Sequence, residues 1–397
     1  MSDPDPDPDP HPLRHGAAPR AIHALLAALV AVLVAVPLGI SGAAPAAAAP
    51  PRAQDELARL GAERAWQLST GAGITVAVLD SGVDASHPDL AGRVLPGKDY
   101  VDGSTDGRVD PVGHGTAVAS LIAGRADGTV IGLAPDATIL PVRVLDSENR
   151  YETAATVADG LVWAVEHGAQ VVNLSLGSAH DSSALSAAIA FAMANDVVVV
   201  ACTGNSRHRQ RRSQQIWYPA REPGVLAVGG LVWVDGEPRH WPRSLTGRET
   251  VLSAPAVLTA AAPGGGSRVV QGTSFSSALV AATAALARAR WPEATAGEVV
   301  HRLVATADDL GKPGRDARYG YGAVDPVGAL TASLPPVPVN PLDTTARFGR
   351  AGLGLAPSGT VTAAAPGPVT TLARAPVQRD GQVQGPVPVG WVSWVPA

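Results

Sequence analysis

The sequence predicts an α/β fold: a doubly wound, mostly parallel sheet with helices on both faces, built as a single domain between two tails of different composition. Three observations predict it. Short apolar runs at 74–79, 137–144, 169–176, 197–201 and 225–229 have the length and the Val, Ile and Leu content of strands buried on both faces. Segments with helical character separate them, at 114–123, 153–167 and 183–194, and such alternation sets parallel strands side by side with helices as crossovers. A further run, Phe275 to Arg290, is small and apolar on nearly every side and therefore suits the interior.

Whole-chain numbers narrow the class. The 397 residues have room for one large domain with tails, and 46% hydrophobic residues can fill a substantial core. Only 4% are aromatic, so packing relies on close approach of Ala, Val, Leu and Gly. A formal net charge of −5, without a polybasic stretch long enough for a nucleic-acid footprint, argues against nucleic acid as the main partner. The one cysteine, Cys202, excludes an intramolecular disulfide and a cysteine-built zinc site.

Residues 1–20 open with Asp-Pro repeats and run into a basic stretch with Arg14, His15 and Arg20, an extension expected to be disordered. Residues 21–49 carry an apolar run, Ala21 to Ile40, broken only by His23 and followed by small residues. Basic, apolar and small, in that order, is the layout of a secretory signal cleaved after Ala43 or Ala48; the run is also long enough for a signal anchor. Either reading makes the remainder extracytoplasmic, secreted or held at the cell envelope. The stretch Asp55 to Gln67 has helical spacing but is too short to fold alone, and is expected to lie along the surface of the main domain at 50–331. From 332 to 397 the composition shifts to Pro, Ala and Gly, opening with Pro335-Pro336, Pro338 and Pro341, which reads as an extended tail with a sticky end at Gly390-Trp391-Val392-Ser393-Trp394-Val395.

The chemistry lies where strands end. The first strand closes on Leu79-Asp80-Ser81-Gly82, Gly113-His114-Gly115-Thr116 opens a helix, Thr203-Gly204-Asn205 follows a strand, and Gly272-Thr273-Ser274 opens the small apolar helix. A serine hydroxyl becomes a nucleophile when an imidazole takes its proton and a buried carboxylate steadies the imidazolium. A helix mouth, with unpaired N–H groups and the positive end of its dipole, favours the negative charge that then develops. Each motif alone is weak, but their joint order on this fold is not.

That order, Asp then His then Ser, is the order found in subtilisin, and the chain resembles the subtilisin-like serine proteases from about Leu60 to about Leu330. The likeness rests on Val76-Ala77-Val78-Leu79-Asp80-Ser81-Gly82-Val83 with His87-Pro88-Asp89-Leu90, on Gly113-His114-Gly115-Thr116, on Val172-Asn173-Leu174-Ser175-Leu176-Gly177, on Val199-Val200-Ala201-Cys202-Thr203-Gly204-Asn205 and on Gly272-Thr273-Ser274. It implies a catalytic domain acting on polypeptides, with Asp80 as orienting carboxylate, His114 as general base and then acid, and Ser274 as nucleophile. Asn205 and the Ser274 backbone N–H would form the oxyanion hole. Ser175-Leu176-Gly177 would pair with an extended substrate backbone, and Trp217, beside Tyr218-Pro219-Ala220, would floor the side-chain pocket and favour cleavage after Ala, Ser or Gly.

Two features depart from that pattern or stand outside it. Ala278 and Leu279 replace the Pro, and often His, of the usual family helix, and the loop Ser206 to Ser213 is unusually basic. Asp99, Asp102, Asp106 and Asp110 lack the spacing of a defined calcium loop, so neither calcium nor any other cofactor is indicated. Within the family the export signal, the short pre-domain segment and Gly272-Thr273-Ser274-Phe275-Ser276-Ser277-Ala278 look most like mycosins, which implies a type VII secretion membrane complex as partner. Two other readings stay open: a general secreted degradative subtilase, and a protease-fold scaffold of a secretion complex.

Overall fold

The structure, a computed structural model, describes residues 54–206 and 215–344. The N-terminal extension, the export signal, most of the basic loop and the tail from residue 345 lie outside them.

The five runs expected as strands form the centre of one sheet: β1 (Thr75–Asp80), β3 (Thr138–Arg143), β4 (Val171–Leu174), β5 (Val198–Cys202) and β6 (Leu226–Val234). Short β2 (Lys98–Asp99), the hairpin partner β7 (Glu237–His240) and β8 (Leu252–Pro255) complete it, in the order β2-β3-β1-β4-β5-β6-β7 with β8 also beside β6. All pairs are parallel except β6 with β7. The chain leaves β1 to one side for β3 and returns to its other side for β4. Asp80 thus ends the strand at the switch point, where parallel sheets of this kind open a crevice.

Helices α3 (His114–Ala123), α4 (Ala154–Glu166) and α5 (Ser183–Ala194) fall within one residue of the expected bounds. Thr153 and Ser182 start the latter two by accepting the Thr156 and Leu185 N–H groups. The stretch beginning at Asp55 is two helices, α1 (Asp55–Arg59) and α2 (Ala62–Trp66), broken where Gly61 turns left-handed at φ 64°. It is more than a surface strap: Leu57, Leu60, Ala62 and Ala65 are buried in the common core, and the Trp66 indole donates to Leu133 O at 2.9 Å. A second hairpin, β9 (Val257–Ala261) with β10 (Ser267–Gln271), leads into α6 (Thr273–Arg290).

Helix α6 organises the interior. It packs against β4, β5, β6 and β8, and sixteen of its eighteen residues are buried. Ala at six of those buried positions lets the sheet approach closely, and the buried hydroxyls are satisfied locally: Ser276 Oγ donates to Pro255 O, Ser277 Oγ to Ser274 O and Thr283 Oγ1 to Leu279 O. Added methylenes would cost about 1–3 kcal/mol each in so closed a site. Beyond it, α7 (Ala296–Ala305) opens on a capping box between Thr295 and Glu298, and α8 (Pro326–Thr331) ends the domain expected at 50–331.

The compact unit continues past 331. Asn340 Nδ2 donates to Gly224 O at 2.9 Å, the Gly224 N–H donates to Leu342 O at 3.0 Å, and Leu342 is buried. The first part of the expected tail is therefore a strap laid across the segment between β5 and β6. Among the described residues, no helix is long and apolar enough to cross a membrane.

Candidate active site

Asp80 is fully enclosed at the end of β1. Its Oδ1 accepts the Ser81 N–H at 2.7 Å and meets His114 Nδ1 at 2.7 Å. That contact assigns the proton to Nδ1 and leaves Nε2 as the acceptor. His114 is the first residue of α3, and the turn beyond β1 touches the same helix start: a Cβ on Gly115 would stand 2.0 Å from Gly82 O, so only glycine lets the two backbones meet. The imidazole also faces Phe275, with ring centroids 5.4 Å apart, which brings it against the residue after Ser274.

Ser274 sits in the first turn of α6, 2% exposed. Gly272, at φ 153°, makes the bend into that helix. The Ser274 hydroxyl donates to Ser175 O at 3.2 Å, and no hydrogen bond to His114 is present among the described residues. Ser175 braces the site from below: its hydroxyl donates to Ser274 O at 2.8 Å and receives the Asn173 amide at 2.8 Å.

Asn205 follows β5 across the cleft. Its Oδ1 accepts both the Thr273 N–H and the Thr273 hydroxyl at 3.0 Å, which fixes the amide orientation and turns Nδ2 towards Gly272. The motif Gly272-Thr273-Ser274 gives no sign of a role for Thr273; only the folded chain brings it to Asn205. Beneath the same floor lies Cys202, whose thiol burial pushes up to about 11; it is neutral near pH 7 and unsuited to nucleophilic chemistry.

Ser175, Leu176 and Gly177, expected as a substrate edge, follow β4 directly. Strand β4 stops at Leu174, and Leu176 turns inward, 1% exposed. Ser178 forms an isolated antiparallel bridge with Tyr218, so Ser175–Gly177 and the Tyr218-Pro219 turn stand as two walls. Trp217 lies between them. Its N–H donates to Thr203 O at 3.0 Å, a Cβ on Gly204 would be 2.5 Å from its indole, and one on Gly177 would be 3.0 Å from its own Cβ.

The acidic stretch 99–110 is used internally. Asp99 binds Arg143 Nη1 at 2.8 Å and Thr105 Oγ1 at 2.9 Å, and Asp106 pairs with Arg108. No group of three or more His, Cys, Asp or Glu side chains suited to a metal ion occurs among the described residues. From the basic loop only Ser206 is described, with its N–H on Arg243 O at 2.7 Å.

A profile of the Subtilase family (Peptidase S8) matches residues 71–322. The chain is a subtilase. It is 36% identical over 260 residues to subtilisin DY of Bacillus licheniformis, an alignment covering 64% of this subtilase and 90% of that protein. Among solved structures it is similar to the MycP3 protease from the type VII (ESX-3) secretion system, with 34% identity and a TM-score of 0.63, covering 72% of this chain and 89% of the other. MycP1 from Mycobacterium smegmatis is comparable, with 30% identity, a TM-score of 0.63 and coverage of 72% and 86%. The subtilase is thus a serine endopeptidase of the subtilisin family whose structural neighbours include mycosins, and polypeptides are its substrates.

Proposed function

We propose that this chain is an extracytoplasmic mycosin-like endopeptidase that hydrolyses peptide bonds through an acyl-enzyme on Ser274. The observation that carries the proposal is His114 Nδ1 held 2.7 Å from Oδ1 of a buried Asp80, with the imidazole against Phe275, the residue after Ser274 at the mouth of α6. His114 Nε2 takes the Ser274 Oγ proton as Oγ bonds to the scissile carbonyl carbon. Asn205 Nδ2 and the Ser274 N–H donate to the resulting oxyanion. His114 then passes its proton to the amine as the C–N bond breaks. Water, deprotonated by the same nitrogen, releases the acid and restores the hydroxyl.

A serine-directed fluorophosphonate tests this directly. The wild-type protein should be labelled on Ser274 and the Ser274→Ala variant should not; labelling elsewhere, or none, would sink the proposal.

The substrate segment lies as an added strand against Ser175-Leu176-Gly177; Gly177 takes part in none of the backbone hydrogen bonds of the described residues. Trp217 fills the space beside Gly204 and Gly177, so the pocket accepts Ala, Ser or Gly at the cleaved position. A Trp217→Gly variant should extend cleavage to Phe and Leu; a wild-type enzyme that already prefers those residues would remove the assignment.

The mycosin neighbours support a partner in a type VII secretion membrane complex. Secretion in a Ser274→Ala strain, compared with a deletion strain, separates proteolysis from scaffolding. Loss in both assigns the role to catalysis, whereas loss only in the deletion makes the fold itself the function.

A further inference from the structure

Asp110, four residues before the start of α3, accepts five hydrogen bonds. Oδ1 takes the Ser81 hydroxyl at 2.8 Å and the Val112 and Gly113 N–H groups at 3.0 and 2.7 Å. Oδ2 takes the Thr116 N–H at 2.8 Å and the Thr116 hydroxyl at 2.6 Å. Thr116 Oγ1 in turn accepts the Asp84 N–H at 2.9 Å, and the Gly115 N–H reaches Ser81 Oγ at 3.1 Å. One carboxylate thereby ties the turn after β1 to the first turn of α3, with Asp80 on one side of the knot and His114 on the other.

We propose that Asp110 is a positioning residue for peptide hydrolysis: through Ser81 and Thr116 it clamps the Asp80 turn against the start of α3 and reserves the Asp80 charge for His114. The inference rests on the Asp80, His114 and Ser274 assignment made above. Two physical links support it. Asp80 and His114 come from separate segments in backbone contact at Gly82 and Gly115, so a small slip between them alters the alignment of the base, and errors of about 1 Å can cost about 100-fold in rate. The Asp110 carboxylate can only accept, so the single proton of the Ser81 hydroxyl, which itself accepts from Gly115, goes to Asp110 rather than to Asp80. Asp80 Oδ2 then has no hydrogen-bond partner among the described residues, and the carboxylate keeps its charge for the imidazolium that forms during catalysis.

The test uses the full chain with a peptide substrate. Asp110→Asn places an amide NH2 among backbone donors and should lower kcat about 10–100-fold with KM held within about twofold. Ser81→Ala leaves the bonds of Asp110 to its own loop and removes only the bridge, and should lower kcat about 3–10-fold in the same manner. In both variants the low-field proton resonance of the His114–Asp80 hydrogen bond should move upfield while far-ultraviolet circular dichroism stays native. A kcat within twofold of wild type in both variants, or a loss of kcat with that resonance unmoved, would overturn the proposal and leave Asp110 a purely structural role. If Asp110→Asn does not fold, Ser81→Ala decides alone. Failure of the underlying assignment is recognised separately, because the wild-type protein would then not be labelled at Ser274.

Discussion

Asp80 and Asp99 close two strands of the same sheet, both buried, yet they are bonded in opposite ways. Asp99 is saturated: Oδ1 accepts the Val101 and Asp102 N–H groups at 2.8 and 3.4 Å, and Oδ2 accepts Thr105 Oγ1 and the Arg143 guanidinium. Asp80 carries both of its bonds on Oδ1. The difference teaches what each charge is for. Asp99 faces a cation that is always present, so its field is fully spent on holding the loop. Asp80 faces a ring that, in the proposed mechanism, becomes a cation only for an instant, and its Oδ2, without a partner among the described residues, is spent on no permanent cation.

Breaking the comparison at Asp80 should have the largest effect. Asp80→Asn is expected to lower kcat by about four orders of magnitude at neutral pH while leaving thermal stability nearly unchanged, since it removes the preference for the Nδ1-protonated ring. Steady-state kinetics beside a melting curve would show the split, and a large fall in Tm would contradict it. The matching change at Asp99 should do the reverse. Asp99→Ala leaves Arg143 buried without its main partner and should cost about 3–5 kcal/mol of stability, with kcat of the folded fraction within about twofold of wild type. Denaturant titration checks the first number and active-site titration the second.

A third substitution sharpens the line between charge and dipole. Asn205→Ala removes a neutral donor that Thr273 holds in orientation, and should lower kcat about 100- to 1,000-fold with little change in KM. The smallest effect concerns pH. Burial lowers His240 from its ordinary 6.5 to about 4, so the folded state favours the neutral ring. Its contribution is fully present above pH 6.5 and is lost as pH falls towards 4, by about 1–3 kcal/mol for a group that keeps some solvent contact. His240→Leu should flatten the stability profile in that window and leave the acid dependence of catalysis untouched; an unchanged slope would refute it.

The parts of this molecule legible in the sequence are those where one local rule acts. Buried parallel strands read directly from Val, Ile and Leu runs, and α3 and α5 were bounded correctly because glycine or serine punctuates them. The Asp80, His114, Asn205 and Ser274 motifs were visible because each stands at a strand end or helix mouth. What stayed hidden depends on contacts across long separations. Asp110 looked like one of four scattered carboxylates, since its link to Ser81 spans 29 residues and leaves no periodic trace. The folded state of α1 and α2 was equally opaque: Leu57 and Leu60 are two leucines in a short segment, and only the docked domain supplies the apolar surface that buries them. Strands β7 to β10 have mixed composition, which alternation alone does not separate from loop.

The strap over Gly224 bears on how far the folded unit extends. It grips the chain six residues beyond Tyr218, in the segment proposed as the pocket wall. A shortened chain ending at 331 would give up the Leu342 anchor and loosen that wall, whereas one ending at 344 would retain it. The boundary drawn from composition at 331 thus falls short of Leu342, whose hydrogen bond ties the strap to the segment that carries Tyr218.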